Sequence, residues 1–267
     1  MTVTKAVILA RGLGTRMRAD DGTTNLAGDQ AAAASAGTKG LINVGRPFLD
    51  YVISSFADAG IKEVCLVIGP EHNAFRKYYD QVEKSRVTIS YAIQEEPLGT
   101  ANAVAAAADF IGNDRALVLN SDNYYPLEVL TQIVKVPGLA TAGFARQELI
   151  AKSNIEAARV KSYAIMDVEN GKLCNIIEKP SEAEISAFPD APISMNCWIF
   201  DARIIPACQT VKPSVRGEYE LVDAVRYLIE NGEEITVVPV AAGVLDMSSR
   251  KDIAEIKTAL SGVPVQL

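Results

Sequence analysis

Apolar residues follow two rhythms along this chain. In residues 3–10 they run almost without a break, ending in Ala6-Val7-Ile8-Leu9-Ala10, and the same character returns at Val64-Cys65-Leu66-Val67-Ile68 and at 116–119. Short unbroken apolar runs predict strands buried on both faces, and a further strand is expected at 87–93. Between these runs, Phe48, Tyr51, Val52, Ser55, Phe56 and Ala59 recur at helical spacing and Gly60 closes the helix. An Ala-rich helix is expected at 100–110. Strands alternating with helices predict an α/β fold, Rossmann-like, with a mixed, mainly parallel sheet flanked by helices and joined by right-handed crossovers.

The second half reads differently. Residues 163–168, then Asn170-Gly171, then 172–178 predict a hairpin, because Asn-Gly favours the type I′ turn. Strand-like segments recur at 195–200 and 235–240, and a helix is expected over 219–230, closed by Asn231-Gly232. No linker or composition break separates the halves. A single domain over 1–267 is expected, with a first half over 1–145 and a second over 146–267. Residues 19–38, polar and rich in Gly and Ala, include the run Ala31-Ala32-Ala33-Ala34 and read as a long loop, either a lid or a disordered segment.

Composition narrows the function. Of the 267 residues 49% are hydrophobic and 22% charged, an ordinary globular balance, and no apolar run approaches the ~20 residues of a membrane span. The N-terminus lacks the apolar segment of a signal peptide, so a cytoplasmic protein is expected. Four cysteines without a CxxC pair and one histidine make neither a zinc site nor a disulfide framework. The cysteines read as buried small hydrophobes, Trp198 as core and His72 as a surface residue. A net charge of −7 argues against a nucleic-acid partner and makes one basic loop conspicuous.

That loop follows the first strand directly: Arg11-Gly12-Leu13-Gly14-Thr15-Arg16-Met17-Arg18. Glycines let backbone N–H groups approach phosphate oxygens, and arginines supply forked donors that match them. The loop is no Walker sequence, and Met17 stands where a dinucleotide fingerprint needs its third glycine.

Together with the residues downstream, the loop resembles the signature A-G-G-x-G-T-R-L of the sugar-1-phosphate nucleotidylyltransferases, with Arg11 in place of the first glycine and Met17 in place of leucine. Thr38-Lys39-Gly40-Leu41-Ile42-Asn43-Val44 resembles that family's P-K-x-L-x-x-V, followed by a similar helix start at 46–52. Gln94-Glu95-Glu96-Pro97-Leu98-Gly99-Thr100-Ala101 resembles its base-recognition segment, and Asn120-Ser121-Asp122 the end of its G-D strand. Glu178-Lys179-Pro180 matches E-K-P, and residues 245–252 resemble W-x-D-I-G-T-P-E-D, with Val244 for tryptophan and Met247-Ser248-Ser249 for I-G-T. These matches keep their order from residue 6 to residue 252. The chain ends soon after the last of them, so no appended domain is expected.

The resemblance implies attack of a sugar-1-phosphate on the α-phosphorus of a nucleoside triphosphate, releasing pyrophosphate. Such transfer needs mainly positioning and charge neutralisation. Arg16 is then expected to hold the β- and γ-phosphates and Lys39 to offset charge at the α-phosphate. Asp122 and Asp246 are expected to hold Mg²⁺, which prefers one or two carboxylates plus phosphate oxygens and water. Leu9, Ala10, Arg11, Gly12, Gly14, Thr15, Gln94, Pro97, Gly99 and Thr100 would line the nucleotide site, with Gln94 reading a pyrimidine edge and so favouring UTP, dTTP or CTP. Asn123, Glu178, Lys179 and Asn196 would face the sugar phosphate, with 1–145 expected as the nucleotide-binding half and 146–267 as the acceptor half. Two alternatives stay open: a glycosyltransferase using a sugar nucleotide, although Asn120-Ser121-Asp122 is not an acidic D-x-D motif, and a non-catalytic regulatory member of the fold, given the departures at Arg11, Thr38 and 247–249. The oligomeric state is also open, a homodimer being the commonest arrangement of soluble oligomers.

Overall fold

A computed structural model describes residues 2–12, 14–19 and 26–267. Among them are the strands β1 (Lys5–Leu9), β2 (Glu63–Ile68), β3 (Thr88–Ile93), β4 (Ala116–Asn120), β5 (Asn123–Tyr124), β6 (Leu139–Phe144), β7 (Ile165–Glu169), β8 (Lys172–Ile177), β9 (Ile193–Phe200), β10 (Ile235–Val240) and β11 (Leu245–Asp246). Nine of them form one sheet in the order β3-β2-β1-β4-β9-β6-β10-β8-β7, and β5 and β11 form a small antiparallel ladder of their own.

The unbroken apolar runs mark the centre of the sheet. Ala6 and Ile8 of β1 pack into the core on one face and Val7 and Leu9 into the core on the other. β3, β2, β1 and β4 are mutually parallel, and β2, β1 and β4 are buried along nearly their whole length. β9 then runs antiparallel between β4 and β6, so one sheet passes through both halves of the chain. The hairpin β7–β8 turns at Asn170 (φ 51°) and Gly171 (φ 74°), the pair of positive values that a type I′ turn needs.

Four expectations are corrected. Residues 28–36 of the expected loop form a helix, Gly28–Ala36, because alanine is the best helix former and the Gln30 side chain accepts a hydrogen bond from the Ala27 N–H (3.2 Å). Gly37 (φ 75°) ends this helix, and the Thr38 hydroxyl donates to Ala33 O (3.2 Å). Residues 20–25 of that expected loop lie outside the described residues. The helix expected at 100–110 divides at Ala107 into Thr100–Ala106 and Ala108–Ile111. His72 is buried, with Nδ1 accepting from the Gly69 N–H (3.3 Å), and burial pushes its pKa below the usual imidazole value. Cys174 is exposed; the other cysteines are buried, and burial raises the Cys65 thiol to about 11 and those of Cys197 and Cys208 to about 12.

Candidate active site

In an open parallel sheet, binding residues collect where the strands end at their C-terminal edge. Three backbone bonds hold those ends in line here. Ala10 N donates to Val67 O (2.9 Å), Gln94 N to Ile68 O (2.9 Å) and Ser121 N to Leu9 O (3.2 Å). Above them opens a cleft lined by Leu9 at the end of β1 and Ala10, Arg11 and Gly12 just after it, Lys39, the segment Gln94, Pro97, Gly99 and Thr100, and Asp122 after β4. Asn120 and Ser121, which precede Asp122 in the strand-end motif, line it as well, as do Gly37 and Glu218, which carried no signal in the sequence.

Gly14, Thr15 and Arg16 stand beside the cleft rather than in its wall. Gly14 (φ 58°) opens the single turn Thr15–Arg18, and a Cβ on it would lie 3.2 Å from Gly37 Cα. Met17 is fully buried and anchors the turn, so Arg16 is left exposed, with no hydrogen-bond or ion-pair partner among the described residues. Its charge still reaches Lys39, where it works against protonation. Arg250, nearly buried, donates from Nε to Met17 O (3.0 Å) and from Nη2 to Arg18 O (3.4 Å), tying the turn to the segment after Asp246.

At one end of the cleft Gln94 is 3% exposed, and its Nε2 donates to Gly99 O (3.0 Å) and to Asn102 Oδ1 (2.8 Å). Gly99 adopts φ 110°, and a Cβ there would lie 2.6 Å from Tyr219 O. Backbone bonds from Tyr219 N to Leu98 O (2.7 Å) and from Ala101 N to Tyr219 O (2.9 Å) lock the two segments together. Thr100 adds a third tie, its hydroxyl oxygen accepting from Leu221 N (2.9 Å). Gly99→Ala meets both a backbone region reserved for glycine and an immovable main-chain neighbour. The expected cost is about 3 kcal/mol, a fall of about 6–12 °C in Tm on thermal denaturation. A variant melting within about 2 °C of the wild type would show that the two segments part easily.

Further along, Lys39 Nζ pairs with Asp122 Oδ2 at 2.8 Å, both side chains mostly buried. Burial opposes the lysine's charge, but the Asp122 carboxylate outweighs it, with help from Asp246, and the pKa rises above the usual lysine value. Asp246 comes alongside because β11 pairs with β5, setting Asp246 opposite Asn123, while Met247 N donates to Asp122 O (2.8 Å). Burial, then the negative charge of Asp122, push the Asp246 carboxyl above the usual carboxylate range. A buried net holds Asp246 in place: Arg159 Nη2 donates to Oδ1 (2.9 Å), and the Tyr163 hydroxyl (3.3 Å) and Asn123 Nδ2 (3.4 Å) donate to Oδ2. Asn123 was expected at the sugar phosphate; it is instead buried, with its amide on Asp246. Arg159 and Tyr163 were not anticipated at all.

Glu178 and Lys179 are exposed just beyond β8 and lie outside the cleft lining, with Lys179 in the left-handed region (φ 49°). Partial desolvation of its carboxyl and the nearby Glu220 raise the pKa of Glu178, against the charges of Lys179, Arg216 and Arg226. Asn196 (φ 57°) is half-buried on β9, and its Oδ1 accepts from the indole N–H of Trp198 (3.4 Å), so its side chain is committed to the core tryptophan. Cys197 is fully buried, and the Thr141 hydroxyl donates to its carbonyl oxygen (3.1 Å).

The sheet order and the cleft at its strand ends define an α/β protein of the nucleotide-diphospho-sugar transferase type. Its structural neighbours include a UDP-glucose pyrophosphorylase complexed with UDP-glucose (TM-score 0.76, 18% identity, 96% of this chain and 98% of that one). A UDP-glucose pyrophosphorylase from Acinetobacter baumanii aligns similarly (TM-score 0.75, 19% identity, 98% of this chain and 95% of that one). The nucleotidyl transferase profile matches residues 5–260, and the chain belongs to that family. It is 31% identical to the UTP–glucose-1-phosphate uridylyltransferase of Haloferax volcanii over 96% of each chain. It is 28% identical to a glucose-1-phosphate thymidylyltransferase of Neisseria meningitidis, over 85% of this chain and 72% of that one. A low-salt glycan biosynthesis nucleotidyltransferase of Haloferax volcanii is also 28% identical, and the chain spans 64% of its length.

Proposed function

We propose that this protein condenses a pyrimidine nucleoside triphosphate with a sugar-1-phosphate, giving a nucleoside-diphosphate sugar and pyrophosphate. The observation that carries the reading is the row formed by Gln94 and Gly99 at one end of the cleft, the pair Lys39–Asp122 in the same cleft, and Asp246 beside it. In this reading Lys39 faces the α-phosphate and offsets the charge that grows as the sugar-phosphate oxygen attacks. Arg16, exposed and unpaired among the described residues, takes the β- and γ-phosphates and steadies the departing pyrophosphate. Glu178 and Lys179 bind the sugar phosphate from the acceptor half.

The two carboxylates suit Mg²⁺. Among the described residues no group of three or more His, Cys, Asp or Glu side chains gathers, so an all-protein cage is not on offer. Two carboxylates that repel each other across a ladder, each already drawing a cation, match an ion that takes its remaining ligands from phosphate and water. Asp122 and Asp246 would hold the ion, which would supply charge neutralisation at the phosphates. The departures at Arg11, Thr38 and 247–249 leave these carboxylates and cations in place, which favours an enzyme over a regulatory binder. Phosphorylated substrates fit a cytoplasmic setting, and no described helix is long and apolar enough to cross a membrane.

The decisive experiment sets UTP, dTTP, CTP, ATP and GTP against a panel of hexose-1-phosphates with Mg²⁺ and measures pyrophosphate. Release with at least one pyrimidine triphosphate, dependent on both substrates, is expected. Tight nucleotide binding with no release from any pair would favour the regulatory reading instead.

A further inference from the structure

Arg11 stands where the resembling signature carries glycine, at the end of β1 and in the wall of the cleft. Its side chain is 8% exposed and turns along the strand ends rather than across the opening. The guanidinium donates from Nη1 to the main-chain oxygen of Gln94 and pairs through Nη2 with Glu71 Oε2 at 3.2 Å. It fills the gap beside Gly69, where a Cβ would lie 2.5 Å from Arg11 Nε and 2.4 Å from Glu71 Oε2. Arg11 Nε is buried without a partner, so the side chain is held in this position at the cost of one of its own donors.

What that position accomplishes is visible at Gln94. β3 is the outer strand of the sheet and stops at Ile93, and the bond from Gln94 N to Ile68 O is its last tie to β2. Beyond it the Gln94 carbonyl has no strand partner, and Arg11 takes that carbonyl. The side chain is fixed from the other side. Gly99 O can only accept, so the atom bonded to it is the amide nitrogen, and its second hydrogen goes to Asn102. Gln94 therefore offers a ligand one group only, the acceptor Oε1.

We propose that Arg11, with Glu71 as its counter-ion, is the positioning residue that sets nucleobase choice through Gln94, selecting pyrimidines with an imide N3–H (uracil, thymine) over cytosine, whose N3 is itself an acceptor. This rests on the nucleotide reading of the cleft. Opposed acceptors leave two desolvated lone pairs face to face, and sites built for one hydrogen bond reject a mismatched analogue strongly. With Arg11 removed, the Gln94 carbonyl is freed and the amide loses its fixed height against the base. Lys39 and Asp122 contact neither Arg11 nor Glu71, so the chemical step is spared.

The test uses the full chain with Mg²⁺ and compares wild type, Arg11→Gly, Arg11→Lys and Glu71→Gln. Affinities for UTP, dTTP and CTP come from calorimetric titration without sugar phosphate, and kcat and KM from pyrophosphate release. Wild type is expected to favour UTP or dTTP over CTP by about 100-fold, and Arg11→Gly to narrow this to about ten-fold or less. KM for UTP should rise about ten-fold while kcat stays within about three-fold, the signature of lost binding rather than lost chemistry. Arg11→Lys, which can still reach the Gln94 carbonyl, should recover part of the selectivity. Should Arg11→Gly fail to fold, Glu71→Gln is read for the same narrowing, since it keeps size and removes the ion pair. Unchanged selectivity and KM in the folded variants, or a wild type that prefers CTP, overturns the proposal. A wild type that binds UTP selectively yet releases no pyrophosphate overturns the proposed reaction alone, and the titrations still decide the role of Arg11.

Discussion

Asp122→Asn is expected to lower kcat by about three orders of magnitude without unfolding the chain. The substitution keeps the shape of the side chain and removes one negative charge from a half-buried position. Lys39 loses its 2.8 Å partner, and the proposed Mg²⁺ loses one of only two carboxylates. No third acidic or metal-binding side chain gathers there among the described residues to replace it. The fold has less at stake, because the backbone bonds on each side, Ser121 N to Leu9 O and Met247 N to Asp122 O, do not involve the carboxylate. Pyrophosphate release measured alongside thermal denaturation separates the two effects. A folded variant with metal-dependent turnover within about ten-fold of wild type would remove Asp122 from the proposed metal site.

Lys39→Ala carries the second largest expected effect, a loss of about 10²–10³ in kcat, with KM for the triphosphate changed far less. Lys39 is held protonated against burial by Asp122 and Asp246, and so remains a fixed cation where charge is proposed to build on the α-phosphate. Arg16 does not substitute for it, being exposed on a separate turn and committed in this reading to the leaving group. Because the variant also leaves Asp122 and Asp246 facing each other with less positive charge nearby, raising Mg²⁺ should restore metal occupancy but not kcat. Recovery of kcat at high Mg²⁺ would recast Lys39 as an organiser of the carboxylates.

How much of this was legible in the sequence differs from element to element. β1, β2 and β4 announce themselves because strands buried on both faces must be apolar throughout, and the Asn-Gly hairpin is written in its turn. β6, Leu-Ala-Thr-Ala-Gly-Phe, is equally buried but built from small residues. Only its neighbours β9 and β10 make it a strand, and Gly143 is required there because a Cβ would lie 2.6 Å from Val237 Cγ1. The alanine run at 31–34 reads as low complexity until Gly37 and Thr38 are seen closing the helix. Much of the cleft lining was legible because residues 9–12, 94–100 and 120–122 each lie in one short stretch at a strand end. The net around Asp246 was not: Arg159 reaches it across 87 positions of sequence, through no local pattern. Asn123 sits beside a motif residue in sequence, yet the ladder with β11 turns its side chain toward Asp246.

The two-residue ladder between β5 and β11 has a consequence for synthesis. Every residue from Arg11 to Asp122 leaves the ribosome more than a hundred positions before Asp246 does. A nascent chain can thus carry Gln94, Lys39 and Asp122 while Asp246 does not yet exist. In the proposed reaction, metal-assisted transfer would begin only when residues 245–246 dock beside Asn123, so that catalytic competence would report that residues 146–267 have been made and folded. An early fragment holding a triphosphate would have no means to spend it.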